Sequence, residues 1–202
     1  KRKASINGTK VWINSGSELT FPMNFEKGER VVELKGEAYF LVAKDTVKPF
    51  RVVANGMSVE ALGTGFNINA YQDDDCLCTT LVEGKVRVSY LDSHQECILV
   101  PGEQAILKDG VIMAKQVNVD DIIAWKKGRF VFSDMPLETI AKQLERWYDV
   151  EIRFDDIVAK YYRFTGVMKR YNELEQVLGL IEETTNVRFK VEGCQVRVFR
   201  NL

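Results

Sequence analysis

Hydrophobic positions between Val11 and about residue 117 come in short runs that often alternate with polar ones: Val31-Val32-Glu33-Leu34, Phe50-Arg51-Val52-Val53-Ala54, Met57-Ser58-Val59-Glu60-Ala61-Leu62, Phe66-Asn67-Ile68-Asn69-Ala70-Tyr71 and Val86-Arg87-Val88-Ser89-Tyr90. None repeats at the three-to-four-residue spacing of an amphipathic helix. Runs of this length, bounded by Gly, Asn and Asp, predict strands and therefore an all-β domain. Ile6-Asn7-Gly8-Thr9 reads as the turn of an opening hairpin, with almost no lead-in after Lys1-Arg2-Lys3. Gly36, Gly63, Gly84 and Gly102 punctuate the series loosely, a rhythm that fits either the stacked turns of a β-helical coil or a jelly roll or sandwich.

The pattern changes near Val119-Asp120-Asp121, which is read as the hinge between one domain over 1–118 and another over 119–202. Gly128-Arg129-Phe130-Val131-Phe132 alternates as a strand. Pro136 then opens a helix whose apolar face is Leu137, Ile140, Ala141, Leu144 and Trp147, and Val150-Glu151-Ile152-Arg153-Phe154 returns as a strand. The same series follows again 37 residues later: Leu137 aligns with Leu174, Ile140 with Val177, Leu144 with Ile181, Val150 with Val187 and Ile152 with Phe189. Asn172 and Glu175 have the spacing of a capping box for the second helix. A last strand, Cys194 to Phe199, follows the short turn Glu192-Gly193. The expected order is β-α-β-β-α-β-β, with Leu137, Leu144, Trp147, Leu174, Val177 and Ile181 in the core.

Charge and candidate chemistry exclude more than they suggest. Lys and Arg number 28 against 29 Asp and Glu, so no net field favours nucleic acid or an anionic membrane surface. A KH-type nucleic-acid module lacks its Gly-x-x-Gly loop here, and Phe130, Phe132, Phe154 and Phe189 alternate as packing residues do. No apolar run approaches the roughly 20 residues that cross a bilayer. The single histidine, His94, has no ligand or nucleophile partner in the sequence, and Cys76, Cys78, Cys97 and Cys194 lack metal-site spacing. A Cys76–Cys78 bond would be strained. Either could meet Cys97 across a sheet, or all could be small buried thiols. Gly63-Thr64-Gly65 reads as a tight strand connection and Asp73-Asp74-Asp75 as a solvated hairpin tip, and nothing in the sequence brings Glu37 and Glu83 together. No catalytic residue, cofactor or metal is expected.

Taken in order, Val11-Trp12-Ile13-Asn14-Ser15-Gly16-Ser17, Gly36-Glu37-Ala38-Tyr39-Phe40-Leu41-Val42-Ala43, Val59-Glu60-Ala61-Leu62-Gly63-Thr64-Gly65-Phe66-Asn67-Ile68, Leu81-Val82-Glu83-Gly84-Lys85-Val86-Arg87-Val88 and Pro101-Gly102-Glu103-Gln104-Ala105 closely resemble the periplasmic domain of the FecR family of transmembrane sigma-factor regulators. The second half resembles the secretin and TonB short N-terminal module. In FecR members from Bacteroides-like bacteria such a module follows the β domain, and Trp125-Lys126-Lys127-Gly128-Arg129-Phe130-Val131-Phe132 and Phe164-Thr165-Gly166-Val167 match its most recognisable segments.

The resemblance implies a non-enzymatic, periplasmic receiver of cell-surface signals. Its expected partners are the signalling domain of a TonB-dependent outer-membrane transducer and, through a cytoplasmic segment and a membrane-spanning helix preceding this sequence, an extracytoplasmic-function sigma factor. In the related module the first and third strands form one open sheet and the second, fourth and fifth another. Arg163, Thr165, Arg197 and Phe199 are the expected contacts at sheet edges that could accept a strand. The competing class is a periplasmic carbohydrate- or cell-wall-binding module, which would need a surface of exposed aromatics drawn from Trp12, Tyr39, Tyr71 and Tyr90.

Overall fold

The computed structural model describes residues 2–25 and 28–201; Lys1, at the abrupt start noted above, lies outside them. The chain forms two compact units, one ending at Lys126 and the other starting at Lys127. The division therefore falls beyond the expected 118/119 hinge, because the residues after Asn118 pack on the first unit.

The first unit contains β1 (Arg2–Ile6), β2 (Thr9–Ile13), β3 (Glu18–Thr20), β4 (Arg30–Leu41), β5 (Phe50–Ala54), β6 (Met57–Ala61), β7 (Gly65–Ala70), β8 (Leu77–Glu83), β9 (Val86–Tyr90), β10 (Glu96–Leu99), β11 (Glu103–Lys108), β12 (Val111–Gln116) and the one-turn helix α1 (Val119–Ile122). Neighbours run β10-β9-β6-β5-β4-β7-β8-β11-β12, with β2 and β3 also on β4 and β1 on β2. Among the described residues of this unit only β4 and β5 pair in parallel. A β-helical coil would stack its turns in parallel, so the antiparallel pairing overturns that alternative in favour of the sandwich-like one.

The long strand β4 joins the two halves of this arrangement. Its first part, from Arg30, pairs with β3 and β5, and its second part, to Leu41, pairs with β2 and β7. The change falls at Gly36, whose φ of +88° is a left-handed value; a Cβ there would lie 2.4 Å from Ser17 Oγ. Alternation then sends one set of side chains inward from each half. Val32, Leu34, Val52 and Val59 meet Val11, Phe66, Ile68 and Leu81 in a single buried cluster. Phe40 sits at its centre, with ring centroids 6.0 Å from Phe50 and 5.3 Å from Phe66.

The second unit contains β13 (Arg129–Pro136), α2 (Leu137–Tyr148), β14 (Glu151–Phe154), a 3-10 turn (Ile157–Tyr161), β15 (Arg163–Lys169), α3 (Leu174–Thr184), β16 (Val187–Glu192) and β17 (Gln195–Arg200). β13 pairs with β15 alone, and a separate sheet runs β14-β17-β16. Leu137, Ile140, Leu144, Leu174, Val177 and Ile181 are all buried between helices and sheets, with Trp147 half-buried against the same cluster. The capping box at Asn172 does not form. α3 is preceded by Glu173, with no side-chain cap, and the Asn172 carbonyl instead accepts from Tyr148 Oη at 2.7 Å.

Candidate interaction surfaces

In the first unit the most developed polar constellation is buried. Glu37, on β4, accepts from Asn14 Nδ2 at 2.6 Å and from Asn67 Nδ2 at 2.9 Å, and Asn67 Oδ1 in turn accepts from Trp125 Nε1 at 3.1 Å. Beside it, the Glu37 amide donates to Ser17 Oγ, which donates to Tyr71 Oη, which donates to the Ser15 carbonyl. This arrangement uses a carboxylate as a structural acceptor, since a buried polar group must find partners. The segment carrying Trp125 is held further by apolar and cationic contacts. Ile123 and Trp125 are buried with Tyr39, and Lys126 Nζ lies 3.3 Å from the centroid of the Tyr39 ring and 4.8 Å from that of Trp12. Burial first, and Glu83 second, raise the Tyr39 hydroxyl above its ordinary value, so Glu83 lies near the same cluster.

These contacts dispose of several sequence candidates. Tyr39 and Tyr71 are buried, Trp12 carries Lys3 as well as Lys126, and the four aromatics proposed for glycan stacking form no exposed platform. At Gly63 a Cβ would lie 2.9 Å from the Lys44 Cα, so the Gly63-Thr64-Gly65 stretch is a close crossing of backbone. All four cysteines are free. Cys97 lies on β10, whose only strand partner is β9, and is not bonded to Cys76 or Cys78. No group of three or more His, Cys, Asp or Glu side chains able to hold a metal ion occurs among the described residues.

In the second unit the four expected contact residues separate into two kinds. Arg163 and Thr165 are exposed on β15, an edge strand, and both engage Asp134. Arg163 Nε lies 2.8 Å from Asp134 Oδ1 and its Nη2 donates to the Asp134 carbonyl, while Thr165 Oγ1 accepts from the Asp134 amide at 2.9 Å. Together they hold the register shift between Phe132 and Met135, where Asp134 has a φ of +47°. Arg197 and Phe199 are also exposed, but their edge assignment is overturned: β17 is the central strand, parallel to β14 and antiparallel to β16. A final strand returns to the middle because β14 and β16 end the two duplicated units and each leaves one side to be paired. Arg197 faces Arg153 on one neighbour and Lys190 on the other, a row of like charges tempered by Asp155, whose Oδ2 accepts from Arg197 Nη2 at 2.7 Å. The unpaired backbone of the second unit is therefore on β13, β15, β14 and β16.

Two features lie outside the apolar pattern of the sequence. Arg170 is buried with its guanidinium 4.5 Å from the Phe130 ring centroid and 4.9 Å from that of Trp147, whose Nε1 donates to the Arg170 carbonyl at 2.6 Å. Glu145 Oε1 accepts from the Ile152 amide at 2.7 Å, and Glu182 Oε1 accepts from the Phe189 amide at 2.6 Å. Both residues of that pair stand 37 apart, so the duplication extends to a glutamate that ties each helix to the strand after it.

Comparison with known proteins accounts for both units. The family model described as FecR protein matches residues 4–87, and the one described as FecR, C-terminal matches residues 129–198. Two crystal structures of a protein from Parabacteroides distasonis ATCC 8503, provisionally described as an anti-sigma factor and determined at 1.65 Å and 2.50 Å, superpose with a TM-score of 0.90 at 31% identity over 98% of this chain, and over 94% and 93% of theirs. The chain belongs to the FecR family. No match is found among curated proteins. Membership supports a role in sigma-factor regulation, and no helix among the described residues is long and apolar enough to cross a membrane.

Proposed function

We propose that this chain is the periplasmic signal-receiving portion of a single-span inner-membrane FecR-type anti-sigma regulator, coupling a TonB-dependent outer-membrane transducer to an extracytoplasmic-function sigma factor. The observation that carries the reading is the likeness, over 98% of the chain, to a protein provisionally described as an anti-sigma factor. The order of elements in the second unit, resembling the short N-terminal module of secretins and TonB-dependent transducers, supports a contact with a transducer's signalling domain. The mechanism needs only differential affinity: a partner that binds one state of the receiver more tightly shifts its population toward that state.

The open edge of β15 is the favoured contact, because an added strand would satisfy its free backbone groups and meet Val167, which is 64% exposed. Arg163 and Thr165 border it. Titration of the chain with the signalling domain of its cognate transducer should give saturable one-to-one binding, weakened at least tenfold by Val167→Asp. No binding by the unmodified chain would remove the transducer from the reading. Undiminished binding by the folded variant would move the contact to β13, β14 or β16.

A further inference from the structure

Two thiols at the start of β8 take no part in the contacts described above. Cys76 immediately precedes β8 and Cys78 is its second residue, and their Sγ atoms lie 3.6 Å apart. The two are not equivalent. Cys76 lines a cavity of about 360 Å³ bounded by Asn55, Tyr71, Asp74, Tyr90 and Lys108, whereas Cys78 is set on the strand itself between Asn69 of β7 and Ile106 of β11. The sulfur–sulfur hydrogen bond lowers the Cys76 thiol to about 7 and, with burial, raises that of Cys78. Either sulfur can donate in the 3.6 Å contact, and the lowering at Cys76 favours its ionised form over that of Cys78. Asp74 and Asp75 oppose that ionisation, Lys108 favours it, and Lys115 faces Cys78.

A thiol that lines a cavity, has a lowered pKa and touches a second thiol is the arrangement that thiol–disulfide exchange requires. We propose that Cys76 is a nucleophilic modification site for small disulfides, with Cys78 as its resolving thiol. In the first step the Cys76 thiolate attacks one sulfur of R–S–S–R, that S–S bond breaks, and RS⁻ departs with the electron pair and takes a proton from solvent. Cys78 then releases its proton to solvent and attacks the Cys76 sulfur, expelling the second RS⁻, which is protonated in turn. Two cysteines are oxidised by two electrons, and one disulfide is reduced to two RSH. The Cα atoms of residues two apart on a strand are separated by about 6.6 Å, near the upper end of the ~4.4–6.8 Å that bridged cysteines span, so the product is a bridge that excess thiol reopens.

The test is to expose the full chain to oxidised glutathione, quench with acid and map peptides by mass. The peptide holding Cys76 and Cys78 should lose two hydrogens and keep no adduct, Cys78→Ser should trap glutathione on Cys76, and Cys76→Ser should do neither on that peptide. In the unmodified chain, alkylation of Cys76 by iodoacetamide should rise through about pH 7. A lasting glutathione adduct on Cys76 in the unmodified chain, earlier reaction at Cys78 or Cys97, or an unreactive Cys76 would each overturn the proposal, and all three readouts need no variant to fold.

Discussion

Single side chains decide where the first unit ends. Trp125 lies past the last strand, and its indole N–H reaches Asn67 Oδ1, which has already committed its Nδ2 to Glu37. Replacing Trp125 with Phe keeps most of the apolar contact but leaves the Asn67 oxygen buried without that donor. Such an orphaned acceptor costs about 1–3 kcal/mol, which urea unfolding followed by circular dichroism should register as a lower midpoint with little change in slope. An unchanged midpoint would mean that the ring alone holds the segment. Residues of this kind were the least legible in the sequence. Glu37 reads as one more strand-edge glutamate until Asn14 and Asn67, far away along the chain, are seen to converge on it. Arg30, 1% exposed and donating to the Lys48 and Ala43 carbonyls, likewise resembles any strand arginine in sequence. Periodicity reports which face a side chain occupies, but not which distant polar group awaits it.

Elements were legible where their period was long and strong. The helices α2 and α3 emerge from apolar spacing alone, and the 37-residue repeat fixes their relation because duplicated units bury equivalent positions. What failed were the ends and the order of pairing. Asn172 offered a cap that the structure declines in favour of Glu173, and the last strand, adjacent in sequence to β16, inserts between β14 and β16 where an edge was expected. Sequence adjacency predicts the hairpin β16–β17; the parallel partner β14 is a long-range choice that local pattern does not encode. One position in α3 runs against helical preference. Gly179 lies mid-helix, without a left-handed φ, and an added Cβ would meet nothing within 4 Å. Gly179→Ala should raise stability by about 0.5–1 kcal/mol, since it lowers the entropy of the unfolded chain without a clash. Thermal unfolding monitored by circular dichroism will show whether the midpoint rises; a fall would imply that the half-exposed surface around Gly179 needs the bare backbone.

For the whole molecule, the placement of residues 119–126 makes a testable claim about how the chain is partitioned. The change of pattern near Val119-Asp120-Asp121 suggested a hinge there, but Val119, Ile123 and Trp125 complete an apolar cluster with Tyr39, Leu41 and Val82 of the first unit. A change of hydrophobic period marks where one kind of element gives way to another, whereas a domain boundary is set by which core a segment joins. Each unit has its own buried cluster, so a fragment over 1–126 and one over 127–202 should each unfold cooperatively on its own. The sharper comparison is between fragments 1–126 and 1–118. The shorter one loses the buried Ile123 and Trp125, strips Tyr39 of its cover and deprives Asn67 of its donor. By analogy with deleting a buried Trp side chain it should be less stable by about 3–5 kcal/mol in urea unfolding. The fluorescence of the 1–126 fragment, which retains Trp12 and Trp125, should also shift to the red on unfolding as Trp125 meets water. If 1–118 matches 1–126 in stability, the segment is a passive linker and the boundary belongs at Asp120-Asp121 after all. If 1–126 is markedly the more stable, residues 119–126 are part of the fold of the first unit.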